Sequence, residues 1–205
     1  MFLLLFDSVL DYAPIAAGVA AIIFVYLKHR KGACEIRVMR KLALSLAGFL
    51  AGVVVLKVVT HYFILAGDPS FGALLLPPHQ ALSDWFFPMT AKRYLFPFIV
   101  SLAAAALAYF IAPLVNKLFK GQLFAEEDKY IIALAALIVG WPNFVMYLGA
   151  AVILTVLLSI RETLRFGIEA RIVLTDALIF SILVVLLFGN IVASYLNLYM
   201  LAIFA

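Results

Sequence analysis

YIIALAALIVGWPNFVMYLGAAVILTVLLSI, residues 130–160, runs for 31 residues without a charge and carries Gly140-Trp141-Pro142-Asn143 near its middle. A straight crossing of the hydrocarbon takes about 20 residues, so this run is too long for one simple span. Proline removes a backbone donor and clashes with the preceding turn, and a neighbouring glycine lowers the cost of a bend. Two folds follow. If the run is one tilted, kinked helix, the next loop, RETLRFGIEAR at 161–171, lies across the membrane from residue 128. If it is a hairpin of a short re-entrant helix and a longer one, that loop returns to the side from which the run entered. The hairpin is preferred, because Arg161, Arg165 and Arg171 outnumber Glu162 and Glu169 and basic residues beside spans stay inside.

The rest of the chain fits the same solvent. It is 67% hydrophobic and 13% charged over 205 residues, whereas soluble domains are roughly half apolar and about a quarter charged. The expectation is an all-α polytopic integral membrane helix bundle, a single transmembrane domain over residues 1–205 with about five spans. Besides the run above, the candidate spans are Tyr12 to Leu27, Leu42 to Ala66, Tyr94 to Val115 and Ile172 to about Phe204, the last bending near Asn190 or Asn197. In KHRKGACEIRVMRK, Lys28, Arg30, Lys31, Arg37, Arg40 and Lys41 face only Glu35. That stretch marks the 28–41 loop as cytoplasmic in a multi-pass protein of the cell membrane, with attraction to anionic lipid as a second role. The basic residues follow the first apolar region, the wrong order for a cleaved signal peptide. Neither an aromatic-basic platform nor a DNA-reading motif accompanies them, so no nucleic-acid partner is expected. In the loop 67–93, LLLPP and WFFP read as short interfacial pieces stopped by proline. Cys34 is alone, and His29, His61 and His79 lack zinc-ligand spacing, so neither a metal nor a cofactor is expected.

Ionisable groups inside a span are costly and mark candidate sites. Lys57 and His61, four apart, share one helix face; they either snorkel to an interface or line a polar path with Asp176. Glu126, Glu127 and Asp128 precede an apolar helix, where carboxylates cap free N–H groups and suit the dipole. The sharper alternative is chemistry. Two carboxylates sharing a water split their pKa values, so one serves as base and the other as acid. Asp128 and Asp176 are the candidate catalytic pair, on one side only if residues 130–160 form a hairpin; in the other topology Asp176 approaches Lys57. Two small-residue seams, SLAGFLAG (45–52) and SLAAAALA (101–108), permit close helix approach.

LVNKLFKGQLFAEEDKYIIALAALIVGW (114–141) and EARIVLTDALIFSILVVLLFGN (169–190) resemble the second half of the membrane aspartyl peptidases that process type IV prepilins and archaeal preflagellins. Of that family's Gly-x-Gly-Asp motif only Asp128 is kept. The resemblance implies intramembrane proteolysis at the cytoplasmic face, with Asp128 as one catalytic aspartate and a membrane-anchored peptide as substrate. Asp68 and Asp84 are nominal matches for the family's first aspartate. KLFKGQLF and GWPNF are similar to segments of five-span membrane trafficking proteins, which implies a non-enzymatic scaffold or accessory subunit. A small transporter or lipid-handling protein is the third expectation. The partners that follow are membrane lipids, other membrane subunits or the anchored peptide.

Overall fold

The computed structural model describes residues 2–31, 35–68, 72–118, 125–166 and 174–196. Six helices carry the fold and no strand occurs among the described residues: α1 (Phe2–Arg30), α2 (Ile36–Ala66), α3 (Phe86–Leu118), α4 (Asp128–Val139), α5 (Asn143–Phe166) and α6 (Leu174–Tyr195). All but α4 are long and apolar enough to cross a membrane. The expected helical membrane bundle is therefore observed.

α1, α2 and α3 overrun the apolar segments read from sequence at both or one of their ends, while α6 spans Leu174–Tyr195 within the expected Ile172 to about Phe204. WFFP does not stop a segment. Phe86, Phe87 and Pro88 open α3, where the first backbone N–H groups have no intrahelical partner and proline costs little. A π-helical turn at Ala91–Leu95 lies inside the same helix. LLLPP begins in a short 3-10 helix, Gly72–Leu75. α6 runs unbroken through Asn190, and Asn197 lies outside the described residues, as do Cys34, Arg171 and parts of the loops at 28–41, 67–93 and 161–171.

The centre of the molecule is α4. Its 12 residues rise only about 18 Å, short of a hydrocarbon core of about 30 Å. Ten of them are buried, including the unbroken stretch from Tyr130 to Leu137, and a helix apolar all round must be covered all round. α1, α2, α3 and α6 supply the cover, and α5 follows α4 in the chain. Small residues bring the neighbours close. Ser101, Ala105 and Ala112 form the buried face of α3 against a helix that includes Ala133, Ala135 and Ala136. At Gly18 of α1 a Cβ would stand 2.7 Å from Ile138 Cγ2, so that crossing tolerates no side chain.

The run 130–160 is a hairpin. Asp128 bonds Thr175 at the start of α6, and Asn143, beyond α4, bonds Asn190 near its end, so α4 and α6 run parallel. α5 starts beside Asn190 and returns, its Thr155 lining one groove with Leu174 and Leu178. Gly140 at φ 67° turns the chain, in the left-handed region where glycine carries no Cβ penalty. The base of the hairpin therefore shares one end of the bundle with the last turn of α1, Lys28, His29 and Arg30. We call this the basic end.

Candidate functional site

Three polar clusters are arranged along the hairpin. The first is its base. Asp128 is 1% exposed. The Thr175 hydroxyl donates to its Oδ1 at 2.7 Å and the Ala125 N–H to its Oδ2 at 2.8 Å, so both oxygens are engaged. This is not helix capping: the residue at the cap position, Glu127, makes no side-chain cap bond, and the Asp128 carboxylate reaches back to Ala125 and across to α6. Burial pushes the Asp128 carboxyl above the usual carboxylate range, while the two hydrogen bonds and the nearby His29 hold it down. Asp176 follows Thr175 in sequence but turns to α1, with its Oδ1 3.5 Å from His29 Nε2. The two candidate aspartates thus share an end of the bundle, joined through Thr175, and each carboxylate has its own partner.

The second cluster is the tip, where the Gly140-Trp141-Pro142-Asn143 break falls; sequence reasoning marked the bend and missed its polar partners. A backbone break at membrane depth must be satisfied from within the protein. Gly140 N–H donates to Ala136 O at 3.2 Å, and Trp141 N–H donates to Ser101 Oγ at 2.8 Å, while the Ser101 hydroxyl donates to Pro97 O at 2.8 Å. Beyond the turn Phe144 N–H donates to Gly140 O at 2.8 Å. Satisfaction is incomplete at side chains: Trp141 Nε1 and Asn143 Oδ1 are buried without a partner among the described residues, as is Tyr147 Oη lower on α5, in the groove that Tyr147 lines with Ile132, Leu174 and Leu178. The sequence marked the break itself, Gly140-Trp141-Pro142-Asn143; for its support on α3 the signal was the serine that opens the seam 101–108.

The third cluster lies at the opposite end. Lys57 pairs with Asp11 of α1 at 2.6 Å, not with Asp176, which settles the two pairings left open by the sequence. Its ammonium lies 5.9 Å from the centre of the Tyr94 ring, and the Arg93 guanidinium lies 5.4 Å from the same ring. His61, one turn on along the same face as Lys57, meets the same ring: it packs between aromatic rings, 6.4 Å from Phe86 and 6.0 Å from Tyr94. Asp68 accepts the Gly72 N–H at 3.2 Å and Asp84 accepts the Ser83 hydroxyl at 3.0 Å; both belong to the α2–α3 connection at this end, away from Asp128.

Among the described residues no group of three His, Cys, Asp or Glu side chains could hold a metal ion. A scan against family models, a search of curated proteins and a search of solved structures returned no match.

Proposed function

We propose that the protein is a non-enzymatic scaffold of the cell membrane that self-associates through the outward face of α2, with its basic end in the cytoplasm. One observation carries this: Gly48 and Gly52 are exposed on α2, and a Cβ added at either would meet nothing within 4 Å. Ser45, one turn earlier, is exposed on the same face. Lipid tails are as apolar as leucine, so helices in a bilayer associate by close backbone approach at small residues. Of the other seam, 101–108, Ser101 and Ala105 are already buried in the bundle. The engaged state of Asp128 supports a structural use of that carboxylate.

The test is disulfide cross-linking of Ser45→Cys in a Cys34→Ser background, in native membranes. A cross-linked dimer that disappears in Gly48→Ile with Gly52→Ile is expected. A chain that remains monomeric in the bilayer by single-molecule photobleaching refutes the proposal. A second reading, an aspartyl peptidase acting at the cytoplasmic face on a membrane-anchored peptide, is supported by Asp128 and Asp176 occupying one end of the bundle. It requires that alanine at either residue abolish cleavage of such a peptide, whereas the scaffold predicts association unchanged by Asp176→Asn.

A further inference from the structure

Above the hairpin tip lies a cavity of about 250 Å³. Gly140 and Trp141 form its floor, Leu50, Val54 and Phe98 are among its walls, and Lys57, Arg93 and Tyr94 line it on the side away from the hairpin. The space would hold about eight waters at liquid density, yet its walls are mostly hydrocarbon and offer such waters few partners. The charged side differs. Lys57 is only 17% exposed, and it shares the Tyr94 ring with Arg93, so two cations are held beside one apolar shaft. An ammonium at such a position is expensive unless it is paired. Its partner Asp11, at 2.6 Å, has a side chain 61% exposed, so the acid engages the ammonium from outside the cavity rather than filling it. Asp7 also acts on this region, since its charge is felt at His61 and Tyr94.

We infer that this cavity binds a phospholipid, with one acyl chain in the shaft and the phosphate between Lys57 and Arg93. The apolar walls accept the chain, and the two cations accept the phosphate oxygens, with the guanidinium suited to paired oxygens. Asp11 and Asp7 stand where they oppose a headgroup of excess negative charge, so the phosphate is the recognised group and the rest of the head faces water. The site is independent of the α2 face and stands whether or not the chain self-associates.

Trp141 on the floor reports occupancy. In the full-length chain with Trp85→Phe, held in micelles of a maltoside detergent that carries no phosphate, fluorescence quenching by brominated phosphatidylcholine and by brominated fatty acid is titrated. Saturable quenching by the phospholipid is expected. Lys57→Gln or Arg93→Gln should weaken it about fivefold each, the effect of about 1 kcal/mol per cation near a membrane surface. Val54→Phe, which fills the shaft and leaves both cations, should abolish saturable quenching while near-ultraviolet circular dichroism stays native. Quenching that rises linearly with lipid and is unaffected by all three substitutions overturns the site. So does equal quenching by the fatty acid, which carries no phosphate, or release of quenching by inorganic phosphate alone, which would make the cations an anion site without a chain.

Discussion

Replacing Ser101 with alanine tests the account of the hairpin most directly, because one hydroxyl supports a backbone break in the membrane interior. In Ser101→Ala the Trp141 N–H loses its acceptor at 2.8 Å. The serine's own bond to Pro97 O spans one turn within α3, where that carbonyl is already near a helical donor, so its loss adds little. Leaving a buried donor unmade costs about 1–3 kcal/mol, whereas side-chain hydrogen bonds measured inside membrane proteins average about 0.6 kcal/mol. The cavity decides between these figures. Ser101, Gly140 and Trp141 all line it, and its mostly hydrocarbon walls hold a replacing water poorly, so the donor stays unmade and the loss should lie in the upper range, about 1–3 kcal/mol. Ser101→Thr keeps the hydroxyl, and its added methyl has the cavity beside it, so it should lose less than the alanine variant. Reversible unfolding in mixed micelles, followed by far-ultraviolet circular dichroism, measures both. Equal stability of Ser101→Ala and the native chain, or an equal loss in the alanine and threonine variants, would refute the reasoning.

At the base, Asp128→Ala strands the Thr175 hydroxyl and the Ala125 N–H and should cost about 2 kcal/mol or more in the same unfolding assay; Asp128→Asn retains an acceptor for Thr175 and should cost less. The raised Asp128 carboxyl means that the folded state holds its proton to higher pH than the unfolded one, so stability should fall as pH rises through the carboxylate range and above it, and Asp128→Asn should flatten that slope. Topology is checked with single cysteines at Arg30, Arg165 and Gly67 in a Cys34→Ser background. An impermeant maleimide should label Arg30→Cys and Arg165→Cys from one side and Gly67→Cys from the other, and labelling of the first two from opposite sides would rule out the hairpin.

How far the fold was legible depends on what kind of information each feature needs. The overlong apolar run and its Gly-Trp-Pro-Asn break specify a bend, and the arginines after Ile160 favour its direction, all from local sequence. Register between helices is not local. Asp128 drew notice as a carboxylate beside a span, but its partner Thr175 lies 47 residues away. Lys57 was flagged as needing a counter-ion, and the one it has is 46 residues off, in a first helix whose apolar stretch begins only after Asp11. The seam containing Ser101 announces a packed face, and nothing in the seam says that one of its members faces a helix break. Periodicity gives faces, whereas site chemistry here depends on which heights along neighbouring helices coincide.

The heights that coincide divide the hairpin into two unlike halves. At the base every oxygen of the buried carboxylate has a donor, and α4 is tied to α6 before the apolar stretch begins. At the tip one serine serves the Trp141 N–H, while the indole N–H of Trp141 and the amide oxygen of Asn143 lack partners among the described residues. Unmade hydrogen bonds of this kind are few in native interiors and call for an explanation where they cluster. Here the explanation is geometric. A helix that stops part-way through a bilayer must bring its closing turn and its polar side chains into the apolar layer, and the chain has spent its available hydroxyl on the one group that cannot be redirected, the backbone N–H. α4 is thereby tied to α6 through a buried carboxylate below and to α3 through a single hydroxyl above, and its upper end is the floor of the cavity that Lys57 and Arg93 overlook.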